Sequence, residues 1–163
     1  MRILGIDPGY GIVGYGVVDS NFNTQIAVDY GVITTPKELC LPDRLQIIFN
    51  TICKIIDSYN PDVVAIEELF FFRNYTTVIP VAEARGVLVL ACKLKNVSIF
   101  EYTPLQIKQA LTGHGRAEKQ QVQFMVKMIL CLQSIPKPDD AADALAVAIC
   151  HAQINPRLNV NEM

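Results

Sequence analysis

The stretch that decides the fold is RILGID at residues 2–7, followed at once by the turn Pro8-Gly9-Tyr10-Gly11. Its short apolar run, ended by Pro-Gly, is typical of a buried strand that leads into a turn. Asp7 closes that strand, and a carboxylate there costs several kcal/mol unless it is paired or bound to a metal. The alternative is a turn-capping Asp that accepts hydrogen bonds from the amides of residues 9–11. Either way, the pattern predicts a strand that delivers a carboxylate to the edge of a sheet.

Four more strands are predicted around this one. Residues 12–19 and 25–34 read as two strands joined by a turn at 21–23, which favours an antiparallel meander with the first strand. Residues 63–67, VVAIE, form a short continuous apolar run of the kind found in strands buried on both faces. Residues 97–101, VSIFE, give the fifth strand.

Helical spacing of apolar residues fills the rest of the chain. The predicted helices cover residues 42–59, 76–95, 104–111, 117–132 and 139–152. The order β-β-β-α-β-α-β-α with further helix is that of an α/β protein, and it allows the first and fourth strands to lie side by side and parallel. We expect a single domain over residues 1–155 and a C-terminal tail over 156–163.

Four acidic residues are the candidate catalytic and metal-binding groups: Asp7, Glu67, Asp140 and Asp143. The two strand ends and one helix could bring them together, and like charges gathered in one site need a cation. Carboxylates at a helix start also favour the positive end of the dipole, which explains Asp139 but not an Asp143 set among alanines. Oxygen ligation favours Mg²⁺ or Mn²⁺ over zinc, and we expect two ions that assist hydrolysis of a phosphodiester.

Glu68 lies next to Glu67, but successive strand residues point to opposite faces, so only one of the two can enter the site. Strand parity favours Glu67, which leaves Glu68 as a solvated or DNA-proximal charge.

Composition is compatible with a nucleic-acid enzyme. The net charge is −2, yet residues 85–127 contain seven basic and two acidic residues, a local balance of 7 − 2 = +5. The five cysteines form no CxxC pair, which indicates a reducing, cytoplasmic setting. The apolar stretch before Asp7 is too short for a signal peptide, and no apolar run is long enough to span a bilayer.

The motifs together resemble the RuvC family of Holliday-junction resolvases, which have a ribonuclease-H-like fold. The matching stretches are GIDPG at 5–9, AIEELFFFRN at 65–74, ARGV at 84–87, TGHGRAEK at 112–119 and DDAADALA at 139–146. The resemblance implies a five-stranded mixed sheet, three antiparallel then two parallel strands, flanked by helices. It assigns the four carboxylates as the catalytic set.

The resemblance also implies a function and partners. We expect a homodimer that binds four-way junction DNA and makes paired nicks on strands of like polarity, with some sequence preference at the cut. Such an enzyme would act in recombination and repair with the RuvA–RuvB branch-migration complex.

Three basic residues are candidate DNA contacts around the glycine-bounded loop Gly113-His114-Gly115: Lys108, Arg116 and Lys119. Such a loop can lay amides and cations along a phosphate backbone. The resemblance places Lys119 near the attacked phosphate, where it either takes part in catalysis or only positions the phosphate.

Aromatic residues next to a cation follow Glu67, in LFFFRNY at residues 69–75. Aromatics beside basic residues stack on bases or wedge between them. Phe70 matches the family's junction-probing position and Arg73 is the adjacent basic candidate. The alternative is a small core or dimer cluster.

Two further points stay open from the sequence. Ala82 and Gly86, four residues apart on the second helix, permit either a dimer seam or close packing on the sheet. GIDPGYG also resembles the phosphate hairpin of actin-like ATPases, but those need a second domain that 163 residues do not supply. A non-catalytic relative, or a nuclease acting on another nucleic-acid structure, is the remaining alternative.

Overall fold

The computed structural model of the chain describes residues 1–21, 24–69 and 75–154, the side chains of 75–77 excepted. Its strands are β1 (Arg2–Asp7), β2 (Ile12–Ser20), β3 (Gln25–Thr34), β4 (Val63–Glu67) and β5 (Ser98–Tyr102). They form one sheet in the order β3-β2-β1-β4-β5. β1 pairs with β2, and β2 with β3, in antiparallel fashion, whereas β1 with β4 and β4 with β5 are parallel. The predicted mixed sheet is therefore confirmed.

The helices are α1 (Leu41–Tyr59), α2 (Tyr75–Leu94), α3 (Pro104–Thr112), α4 (Lys119–Ile129) and α5 (Asp139–Ile154). The prediction for α4 was wrong at both ends. The helix begins at Lys119, not 117, because Glu118 caps it: the backbone N–H of Glu118 donates to Oε1 of Gln121 at 2.9 Å. No helix in the described ranges is long and apolar enough to cross a bilayer.

Two apolar cores lie on opposite faces of the sheet. On one face, α1 and α2 pack against the sheet through residues such as Ile48 and Leu88, which meet Leu4 of β1. On the other face, α3, α4 and α5 cover Ile3 and its neighbours. β1 and β4 are thus buried on both faces, as their continuous apolar runs predict.

Helix α5 lies unusually close to β1 and β2, because glycines form the floor beneath it. A Cβ on Gly5 would lie 2.1 Å from the carbonyl oxygen of Ala144, and one on Gly14 only 2.0 Å from that of Asp140. Both distances are too short for any side chain, so these glycines allow backbone to approach backbone. The alanine-rich face of α5 completes the contact, with Ala141 and Ala144 fully buried.

Candidate active site

Asp7 and Glu67 are neighbours at one edge of the sheet. β1 and β4 run parallel with Ile6 opposite Ile66, so the next residue on each strand, Asp7 and Glu67, ends on the same edge. Parallel pairing thus juxtaposes two carboxylates that lie 60 residues apart in the sequence. The structure places them as the sequence predicts.

Helix α5 brings the other two carboxylates to that edge. Asp7 pairs across the strands with Gly14, and the carbonyl of Asp140 rests where the side chain of residue 14 would be. Asp143 follows three residues later and shares a face of the helix with Asp140. One glycine therefore sets how closely the first turn of α5 approaches Asp7.

The four carboxylates act on one another electrostatically. Burial raises the pKa of Asp7 to about 8, and the charges of Glu67, Asp143 and Asp140 raise it further towards that value. Burial and then Asp143 raise the pKa of Glu67 to about 7, against the opposing effect of nearby lysines. Burial is also the main reason why the pKa of Asp143 lies above its usual value. The site thus concentrates negative charge at a cost, which is characteristic of functional sites.

Lys119 supplies a positive charge within this cluster. Its Nζ donates to Oδ2 of Asp143 at 2.8 Å and lies 3.7 Å from Oδ2 of Asp139. Burial lowers the pKa of Lys119, but the bond to Asp143 and the surrounding carboxylates outweigh it and raise the pKa above its usual value. Asp139 is also bound by Lys137 at 2.7 Å, so it is occupied by lysines at the rim. Lys119 stays fully protonated at neutral pH.

The donor set suits a hard divalent cation. Four carboxylates, no thiol and no imidazole are what Mg²⁺ or Mn²⁺ prefers, and the mutual repulsion would be relieved by binding a cation. As they stand, however, no three His, Cys, Asp or Glu side chains within 1–21, 24–69 and 75–154 form a ready cage for a metal ion. The ammonium of Lys119 holds Asp143, so that carboxylate must exchange partners before it can ligate an ion.

The other predicted residues fall at different distances from the cluster. Lys108, on α3, lies near enough to Glu67 to lower the pKa of that carboxyl. Arg116 is exposed on the loop before α4, and it shifts none of the site's carboxylates. Phe70 and Arg73 lie outside the described residues.

Glu68 is set apart from Glu67, as strand parity predicts. Its backbone N–H donates to the carbonyl of Tyr102 at 2.9 Å, which continues the pairing of β4 with β5. The charges that act on Asp7 include Glu67 and not Glu68.

Gly14 is a functional residue that the sequence analysis missed. It was placed correctly in the second strand, but no role was given to it. The available signal is the pair of glycines in GYGVV at residues 14–18, since a glycine inside a strand often marks the close approach of another backbone. Which backbone approaches is decided only by the tertiary fold.

Substitution of Lys119 by Met separates the two roles open to this lysine. With enzyme saturating over labelled junction, we expect single-turnover cleavage to fall about 100-fold, because a positive charge beside the reacting phosphate is lost. Lys127→Met, on the same helix, is the control and should cut at the normal rate. Recovery of the Lys119→Met rate at saturating enzyme would instead mean that the lysine only holds the phosphate.

Known proteins share this architecture over its whole length. The family model described as crossover junction endodeoxyribonuclease RuvC matches residues 3–151. The crossover junction endodeoxyribonuclease RuvC of Alkaliphilus oremlandii is 57% identical over 152 residues, 93% of each chain. That of Finegoldia magna is 54% identical and covers 100% of this chain and 99% of its own.

Solved structures agree. Thermus thermophilus RuvC in complex with a Holliday junction substrate superposes with a TM-score of 0.95 at 34% identity, over 100% of this chain and 99% of that one. The yeast mitochondrial resolvase Ydc2, at 17% identity and a TM-score of 0.68, shares the fold. The chain therefore belongs to the RuvC family of crossover junction endodeoxyribonucleases, with a ribonuclease-H-like fold.

Proposed function

We propose that the chain resolves four-way junctions by paired, symmetric nicks, and that divalent metal ions held by Asp7, Glu67, Asp140 and Asp143 assist hydrolysis of the phosphodiester. The observation that carries the proposal is the convergence of four mutually repelling carboxylates from β1, β4 and α5 on one edge of the sheet. The full-length similarity to an enzyme solved with a Holliday junction supports the choice of substrate.

Each residue has a task in this reaction. Bound Mg²⁺ or Mn²⁺ would make a water nucleophilic at neutral pH and stabilise the leaving 3′ oxygen. Asp7, the most strongly perturbed carboxylate, lies between Glu67 and the first turn of α5 and would contribute to holding every ion. Lys119 would offset the negative charge that grows on the phosphate, and Lys108 would hold the strand beside Glu67.

The proposal is tested with Mg²⁺ and a labelled immobile four-way junction, with a linear duplex and a three-way fork alongside. We expect nicks at symmetric positions on two opposing strands of the junction, ends that ligase reseals, and little cutting of the other two substrates. Equal cutting of all three would mean a less selective nuclease. Junction binding without cutting would mean a non-catalytic relative.

We further propose that two copies of the chain pair through α2. Its outward face is apolar: Ile79 is 66% exposed, Leu90 53% and Leu94 61%. Ala82 and Gly86 lie on that face, and a Cβ on Gly86 would meet nothing within 4 Å. Of the two roles left open for this pair, packing on the sheet is therefore excluded. An apolar, small-residue helix face of this kind suits a two-fold contact with its own copy.

Leu90→Glu should make the protein monomeric, because it places two charges at the centre of the two-fold contact. We expect light scattering to show half the native mass, and junction products to change from paired to single nicks. Leu105→Glu is the control, since Leu105 is 62% exposed on α3 and outside the seam. A Leu90→Glu protein that remains dimeric would place the interface elsewhere.

The biological setting follows from the family. We propose that the enzyme works in the bacterial cytoplasm on recombination and repair intermediates, together with the RuvA–RuvB complex. Phe70 and Arg73 remain predicted DNA contacts, and Arg116 a predicted contact at the rim. Exposure of Arg116 on the loop before α4 is compatible with that role.

A further inference from the structure

Arg44 is a buried cation that has no anionic partner within the described residues. It lies in the first turn of α1 and is only 9% exposed. Its Nε donates to Oγ1 of Thr35 at 2.8 Å, and its guanidinium carbon lies 4.5 Å from the centre of the Tyr10 ring. No carboxylate among residues 1–21, 24–69 and 75–154 forms an ion pair with it. Sequence reasoning gave this residue no role.

The remaining donors of the guanidinium are available to a ligand. Arginine has five N–H donors, and only the one on Nε has an acceptor in the described part of the chain. The two terminal nitrogens are not sealed off without partners, so they keep contact with solvent. Burying most of a charged side chain is costly unless something of opposite charge compensates for it.

The position of Arg44 relates it to the active site. The hydroxyl of Thr35, which accepts from Arg44, donates to the carbonyl of Tyr10 at 2.7 Å. A Cβ on Gly11 would lie 3.2 Å from Nη2 of Arg44. Tyr10 follows Asp7 by three residues, so their Cα atoms are at most about 11 Å apart. The guanidinium is therefore fixed on the turn that leaves the catalytic edge of the sheet.

A purely structural role explains less of this arrangement. Stacking on Tyr10 and one hydrogen bond to Thr35 would hold the turn in place, but a neutral side chain can do the same without a desolvated charge. A planar guanidinium with free terminal donors instead matches the two oxygens of a phosphodiester.

We propose that Arg44 binds a backbone phosphate of the DNA substrate, within about three nucleotides of the cleaved bond at a rise of about 3.4 Å per nucleotide. Thr35 and Tyr10 hold the guanidinium ready for that contact. The inference rests on the proposed action on DNA, and it adds a contact on the α1 side of the carboxylates, opposite the side held by Lys108 and Lys119.

The test measures the affinity of a fluorescent four-way junction and of a duplex against KCl concentration, with no divalent metal present. Arg44→Met keeps the apolar stem over Tyr10 and removes the charge. Thr35→Val is the matched control, because it removes the same hydrogen bond and keeps the charge. We expect the slope of log K against log [salt] to become shallower by about 0.9 for each Arg44 lost from a phosphate, and to stay at the wild-type value in Thr35→Val.

Arg44→Lys should retain the slope of the wild type, since the point charge survives. A slope in Arg44→Met equal to that of the wild type, with a loss of melting temperature like that of Thr35→Val, would overturn the proposal and leave a structural arginine. If Arg44→Met does not fold, Arg44→Gln, which keeps a donor for Thr35, gives the same comparison. Since no cleavage is measured, a protein that failed to resolve junctions would still report on Arg44.

Discussion

Asp7→Asn is expected to abolish junction cleavage, by at least about 1,000-fold, while junction affinity stays within a few-fold of normal. An amide is a poor ligand for Mg²⁺, and Asp7 is the carboxylate on which the other three act most strongly. Binding depends on phosphate contacts made by basic residues, which the substitution leaves in place. Cleavage gels and a binding titration without metal measure the two effects separately.

The same substitution should make the metal-free protein more stable at alkaline pH. The pKa of Asp7 is about 8 in the folded chain against 3.8 ordinarily, so between these values the folded state holds a proton that the unfolded state has lost. Stability of the wild type without metal therefore falls as pH rises through this window. Asn has no charge to bury, and at pH 8 we expect its melting temperature to be higher by roughly 5 °C or more, with no gain near pH 4.

Asp19→Asn is the matched control, because it changes the same residue type on the neighbouring strand. Asp19 is bound by Arg2 at 2.8 Å, and that hydrogen bond holds the pKa of Asp19 below its usual value. This variant should lose a little stability at neutral pH and cut junctions normally. If Asp7→Asn lost junction binding together with cleavage, or was less stable than the wild type at pH 8 without metal, Asp7 would be better explained as a structural turn residue.

Gly14→Ala should be the second most damaging single change, although it removes no functional group. The added Cβ would lie 2.0 Å from the carbonyl oxygen of Asp140 and 3.3 Å from Cβ of Ala144, so α5 must move away from the sheet. A displacement of about 1 Å of catalytic groups costs on the order of 100-fold in rate. Overpacking of this kind costs about 1–3 kcal/mol of stability. We expect both losses, together with a higher Mg²⁺ requirement.

Gly16→Ala distinguishes this from simple loss of packing. Its Cβ would lie 2.7 Å from the side chain of Leu145, further along α5 and away from the carboxylates, and a flexible side chain can give way. Unfolding in urea should show a smaller or similar loss of stability, and cleavage per folded molecule should stay near normal. Equal loss of cleavage in both variants, or normal metal dependence in Gly14→Ala, would argue against a positioning role for Gly14.

The strands were predictable because their signals are local. RILGID and VVAIE are continuous apolar runs that only strands buried on both faces require, and each ends on an acidic residue. The rule that parallel neighbours end at the same edge then brings Asp7 and Glu67 together without knowledge of the fold. Strand parity separated Glu67 from Glu68 for the same reason.

The rest depends on contacts between distant segments. The pairing of Lys119 with Asp143 joins two helices, and the fit of Asp140 over Gly14 joins a helix to a strand. Arg44 looks like an ordinary surface charge of an amphipathic helix, and only the turn at Tyr10 and Thr35 that covers it shows otherwise. The start of α4 was misplaced because the capping by Glu118 competes with a helical pattern that continues through it.

The central claim is that Asp7, Glu67, Asp140 and Asp143 together hold the metal ions that cleave the DNA. Crystals of the active protein soaked in Mn²⁺, with diffraction recorded at the manganese edge, test it most directly. The account predicts anomalous peaks within ligand distance, about 2.0–2.6 Å, of Asp7 and at least two of the other carboxylates, with Asp143 released from Lys119. Manganese bound elsewhere, with the Lys119–Asp143 pair intact in protein that still cuts junctions, would contradict it.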